Sequence, residues 1–148
     1  MTSTLPSTRA RDVRTVSWKA TAVAAAIGAA GGLVINSLIA LLARTFFDIP
    51  AEFPQLTLPV YGFLTVVGAS AGAIGWHLVV ARSGNASGAL RVLVPTVLVL
   101  PLIPDVVLLA SGSQPGTTTA GVVALMLMHV GVAVAAVPAY RRFIPPQS

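Results

Sequence analysis

Two ionisable side chains fall inside long apolar stretches of this sequence: Asp105 within VLVPTVLVLPLIPDVVLLA and His129 within ALMLMHVGVAVAAV. An ionisable group held in lipid is costly, so each marks a candidate functional position by its placement alone. A carboxylate and an imidazole at a similar depth could relay a proton, bind an ion or simply neutralise each other. Two neutral polar residues lie in the other apolar stretches, Asn36 and Thr65. At about 1.5 Å rise per residue, Asp105, Asn36 and Thr65 fall roughly 6–8 Å to one side of their spans' midpoints and His129 close to its own. One polar group from each stretch thus enters a single thin layer, as a polar cluster in a bundle core would require. Each also has a structural reading. Thr commonly bonds its own backbone in a membrane helix, Asp105 follows Pro104 and could cap a restarted helical turn, and His129 could be a neutral side chain satisfied by a neighbour.

Four apolar segments must position these residues: about 20–43, 59–81, 92–110 and 118–140. Each approaches the roughly 20 residues that span a hydrocarbon core, and backbone polar groups in lipid need partners within the segment, so each is expected to be a helix. Composition agrees. The 148 residues are 55% hydrophobic and only 9% charged, with a mean hydropathy of +0.88. So few charges could not cover a water-soluble domain of this length, whereas apolar side chains can face lipid directly. The expected fold is an all-α integral membrane four-helix bundle over residues 18–143. A disordered tail at 1–17 precedes it and a short tail at 144–148 follows. The first segment has a basic flank like a signal peptide, but its apolar run exceeds the usual 7–15 residues, so it is read as a retained span.

Basic residues give the orientation. Arg9, Arg11, Arg14 and Lys19 precede the first span, Arg82 and Arg91 flank the middle link, and Arg141 and Arg142 follow the last. Only Arg44 lies at the other side. The positive-inside rule therefore puts both termini and the middle link in the cytoplasm. The net charge of +5 reflects these flanks and forms no nucleic-acid-binding face. The bilayer is the one partner this composition implies. Trp18, Trp76, Tyr140 and Phe143 fall at the inner interface and Phe46, Phe47, Phe53 and Tyr61 at the outer one, as aromatic belts. The link TFFDIPAEFPQLTL is expected to lie in the outer interface or to act as a lid.

Packing signals differ between spans. Ala20, Ala24, Gly28, Gly32, Asn36 and Ala40 recur every fourth residue along one face of the first helix. Gly28/Gly32 and Gly68/Gly72 are both GxxxG pairs, which permit close backbone approach. Spans one and two are expected to pack through these faces, and the same faces could instead join copies in a homo-oligomer. Span three carries Pro95, Pro101 and Pro104, which should kink or break its outer half.

Several chemistries lack their residues. The absence of cysteine removes disulfides and thiol redox chemistry. His77 lies about 10 Å from the level of His129, too far for two axial haem ligands. No His/Asp/Glu spacing suits a metal, and Ser70 sits among alanines without the context of a nucleophile. No catalytic residue and no cofactor is expected. The final helix, ALMLMHVGVAVAAVPAYRR, follows a proline-rich third span and contains the pair Met128–His129. It resembles a bacterial family of small four-span membrane proteins to which no function is assigned, and the likeness runs from span one to Arg142. That resemblance implies a bacterial cytoplasmic-membrane protein with this topology and implies no activity. A non-enzymatic structural or accessory role is the leading expectation, and a small transporter using Asp105 and His129 is the alternative. Small multidrug transporters also have four spans, but with a glutamate in the first, where this chain offers only Asn36.

Because the chain lacks cysteine, single-cysteine variants report topology cleanly. Cysteine at Asp48 or Gln114 should react with an impermeant maleimide in intact cells, and cysteine at Gly84 or Ser148 should not. Outside labelling at 148 would contradict the orientation.

Overall fold

The computed structural model describes residues 16–147. All regular structure in them is helical. The membrane-length helices are α1 (Trp18–Phe46), α2 (Leu58–Arg82) and α5 (Thr119–Phe143), and a fourth span is built from α3 (Ala86–Val99) and α4 (Leu102–Ser111). The chain is thus an all-α, multi-pass membrane four-helix bundle. A 3₁₀ turn at Pro54–Leu56 lies in the link between α1 and α2.

Local chemistry sets the helix ends. The Asn85 side chain accepts from Gly88 N–H at 2.8 Å, starting α3. The Thr118 hydroxyl accepts from Gly121 N–H at 3.0 Å, starting α5. Such caps satisfy backbone donors that the first helical turn leaves free. Gly112 ends α4 in the left-handed conformation, a position that glycine takes without steric penalty. Because the Asn85 cap lies early, span three begins at Ala86 rather than near Val92. The middle link shrinks to residues 83–85, and Arg91 stands on the helix itself.

Span three bends where its prolines require it. Pro101 and Pro104 lack the N–H groups that would bond the carbonyls four residues back. α3 stops at Val99, and the Leu100 carbonyl takes the Ile103 N–H at 3.3 Å instead. Pro104 falls in the first turn of the restarted helix α4, where a missing N–H leaves no intrahelical bond unmade. This span is peripheral. Only 11% of its most apolar window is buried, against 39% for α5.

The core is a trio of α1, α2 and α5, with α1 seated chiefly on α5. The Gly28/Gly32 face does not meet Gly68/Gly72, contrary to the expectation from the paired motifs. A Cβ on Gly28 would lie 3.0 Å from Ala136 Cβ and 3.1 Å from its Cα. One on Gly32 would lie 3.0 Å from Thr65 Cγ2 and 3.4 Å from Val132 Cγ2, and one on Gly31 would lie 3.1 Å from Ala135 Cβ. From α5, Gly131 opens toward Ile35 in the same antiparallel register. On α2, Gly72 faces the Tyr140 hydroxyl, while Gly68 has nothing within 4 Å of its Cβ position. The α1 face that could have joined two copies is therefore occupied within the chain.

The aromatic residues divide between core and lipid. Trp18, Phe46 and Phe47 are exposed, in keeping with interfacial belts. Phe53, Tyr61, Trp76 and Tyr140 are buried, so the belt reading fails for those four. Phe53 is a plug at the end of the bundle opposite the termini. Its ring meets Gly121, and its backbone passes Gly116, whose φ of +70° and closeness to Phe53 N leave no room for a side chain. Gln55 donates to Gln114, and Arg44 Nε donates to the Leu56 carbonyl at 3.4 Å, so the two links at that end close over it.

Neither terminal segment runs free where it is described. The 1–17 tail reading falls on residues outside the described range, apart from Val16 and Ser17. Val16 packs on a core cluster and the Ser17 carbonyl accepts from Thr21 N–H. At the other end, Ile144 is 1% exposed and its carbonyl accepts from Trp76 Nε1 at 2.8 Å. Gln147 accepts from Ser87 N–H at 2.9 Å, so residues 144–147 lie across the start of α3 rather than forming a loose tail.

The glycine contacts give a direct test. Gly28→Ala must push against the Ala136 backbone and should destabilise the bundle by about 1–3 kcal/mol. Gly68→Ala adds a methyl to open space and should be neutral or slightly stabilising. Thermal unfolding in detergent compares the two, and equal tolerance would place α1 away from α5.

Candidate functional site

The four intramembrane polar residues form two pairs rather than one cluster. Asn36 Nδ2 donates to Thr65 Oγ1 at 2.8 Å, joining α1 to α2. Both side chains are almost wholly buried, at 2% and 3% exposure. Gly32, one turn before Asn36, lets the Thr65 methyl approach α1. The Asn36 Oδ1 has no hydrogen-bond partner and lies 3.3 Å from where a Gly131 Cβ would stand. Asn36 therefore touches α5 as well as α2.

The second pair joins α4 to α5. His129 Nδ1 lies 3.3 Å from Asp105 Oδ2 and 2.9 Å from the Leu125 carbonyl. A carbonyl can only accept, so Nδ1 carries the proton and donates to Leu125 O, with the carboxylate oxygen beside the same N–H. Asp105 is buried and sits in the first turn of α4, where the helix dipole favours a negative group. It makes no side-chain cap bond there. The carboxyl instead turns across to α5, so its role is interhelical and not that of a cap. His129 is about one-third exposed along its side chain, at 36%.

The two pairs lie on different sides of α5. Gly131 faces Asn36 on α1, and His129 faces Asp105 on α4. Residues two apart on a helix point about 200° apart. The partition of these groups depends on α5 standing between α1 and α4, which span depths read from the sequence do not determine.

Three further polar contacts were not foreseen. The first joins Thr21 Oγ1 and His77 Nδ1, 2.7 Å apart and buried, with Trp18 stacked on the imidazole at a ring separation of 3.9 Å. The second is Tyr140, whose hydroxyl donates to the Ala69 carbonyl. Its ring passes α2 beside Gly72, where a Cβ would come within 2.9 Å of the hydroxyl. The third is Trp76, which lies against Tyr140 at 5.6 Å while its indole N–H holds Ile144. A signal existed in the sequence: Thr21, His77 and Tyr140 all sit near the basic ends of their spans, at a shared depth. Aromatic residues at that depth also suit a lipid belt, and sequence alone does not separate the two.

Chemically, this arrangement offers hydrogen-bonded links between helices and one carboxyl–imidazole pair at membrane depth. Among the described residues, no three His, Asp or Glu side chains are grouped to hold a metal ion. A search of known protein-family models, curated proteins and solved structures finds no match to this chain.

Proposed function

We propose that this protein is a non-enzymatic component of a bacterial cytoplasmic membrane with a structural or accessory role. Both termini and the 83–85 link face the cytoplasm in this reading, on the strength of eight basic residues against one.

One observation carries the role. Each polar side chain singled out within the spans meets a polar partner on a neighbouring helix: Asn36 donates to Thr65, and Asp105 lies 3.3 Å from His129. Such groups act as interhelical glue where lipid offers no alternative partner. The Nδ1–H of His129 donates to the Leu125 carbonyl, which fixes the ring with the Asp105 carboxyl 3.3 Å away across the α4–α5 contact.

A structural pair and a transport site respond differently to substitution. Asp105→Asn or His129→Ala leaves the other partner at membrane depth without its counterpart, which should cost about 1–3 kcal/mol. The double variant should recover part of that loss, as coupled neighbours do. Thermal unfolding of the purified protein measures both terms. Unchanged stability in both single variants, together with a proton flux that wild-type vesicles carry and the variants lose, would make the pair a transport site instead.

A further inference from the structure

His129 uses only one of its ring nitrogens inside the bundle. Nδ1 is committed to the Leu125 carbonyl with the Asp105 carboxyl beside it, while among the described residues nothing partners Nε2. The side chain is 36% exposed. His129 lies ten residues after Thr119 and fourteen before Phe143, the ends of α5. At 1.5 Å per residue that is about 15 Å and 21 Å from the helix ends, close to the bilayer middle. Outside the bundle at that height a spanning helix meets hydrocarbon, where an unpartnered polar nitrogen is unfavourable by several kcal/mol.

The protonation of the pair restricts what could satisfy it. With Asp105 protonated and His129 neutral, Nδ1 holds the ring proton and Nε2 is a bare acceptor. With the proton passed to the imidazole, Nε2–H is a donor beside a carboxylate. A hydroxyl both donates and accepts, so it partners Nε2 in either state, whereas a carbonyl or an ether serves only the second. The depth limits the carrier, because phospholipid headgroups stay at the interface while an apolar molecule with a single polar head can descend to the centre. Asp105 Oδ2 is sealed from the surroundings and lacks a hydrogen-bond partner of good geometry, so the pair behind Nε2 is under-satisfied as it stands.

We propose that the lipid-facing edge of His129 binds the hydroxyl of a lipid-soluble compound, with the Asp105–His129 pair as its inner support. The surroundings suit an apolar body. Val130, next to His129, and Leu109, one turn beyond Asp105, are both substantially exposed. Binding reads at Nε2 and the structural pair at Nδ1, so either can fail without the other.

The chain has only two histidines, His77 and His129, which makes the imidazole nitrogens a direct probe. Protein labelled with ¹⁵N-histidine in lipid nanodiscs is titrated anaerobically with a decyl-substituted hydroquinone, the signals being assigned with His129→Gln. The expected result is a saturable shift at His129 Nε2 with His77 unmoved, and several-fold weaker binding of the dimethyl ether of the same compound. Dodecanol as a second probe separates sources: equal saturation assigns any apolar alcohol, and preference for the hydroquinone assigns an aromatic hydroxyl. The proposal is overturned by a linear, non-saturating shift, by equal binding of the ether or by equal movement of His77. It is equally overturned if Nε2 responds only to the protein-to-lipid ratio, meaning a second copy, or exchanges only with water.

Discussion

Contact between the backbones of α1 and α5 is the constraint from which the rest of this bundle follows. Helices in lipid gain nothing from hiding apolar side chains from one another, so close packing and interhelical hydrogen bonds must hold them. Gly28 and Gly32 remove the side chains that would keep α1 away, while Ala136 and Gly131 do the same from α5. The first and last helices are thereby joined along an antiparallel seam, and the chain closes on itself. α2 is left to fill the side of this seam. It is held there by Asn36–Thr65 near the middle and by Tyr140 bonding Ala69 toward the end that holds the termini.

The same seam explains why the polar groups are separated. With α5 between α1 and α4, a residue on one face of α5 cannot share a site with a residue two positions away. Asn36 reaches Gly131 and Thr65, while His129 turns outward to Asp105. Span three is then attached by few contacts. α4 has the Asp105–His129 contact and modest apolar packing on α5, and α3 is tied down by the C-terminal residues, Gln147 accepting from Ser87. A loosely buried, proline-bent helix gains proportionately more from one polar link than a tightly packed helix does, which makes Asp105–His129 the main specific tie of this span.

The number and type of spans were legible because hydropathy depends on composition along the chain and not on partners. The start of span three was less so. Arg91 interrupts the apolar run, yet an arginine near a helix end can extend toward water, and the Asn85 cap carries the helix back to Ala86. Partner choice was not legible at all. GxxxG specifies that something approaches closely, and both α2 and α5 offer small residues; Gly28 meets Ala136 of α5, while Gly32 stands between Thr65 of α2 and Val132 of α5. Trp76 and Tyr140 show the same ambiguity in another form, since an amphipathic ring suits an interface or a core that supplies a carbonyl. The proximity of Asp105 and His129 followed once α4 lay against α5.

Disulfide trapping in native membranes tests the α1–α5 seam most directly, because the chain has no cysteine of its own. Gly31 and Ala135 are partly exposed, and a Cβ on Gly31 would lie 3.1 Å from Ala135 Cβ, so a small separation of the helices brings the pair to the roughly 3.5–4.5 Å of a disulfide. A Gly31→Cys/Ala135→Cys pair should cross-link rapidly within one chain on mild oxidation, and a Gly31→Cys/Gly68→Cys pair should not. Efficient cross-linking of 31 to 68, with none between 31 and 135, would show that α1 packs on α2 through the glycine faces and would contradict the seam.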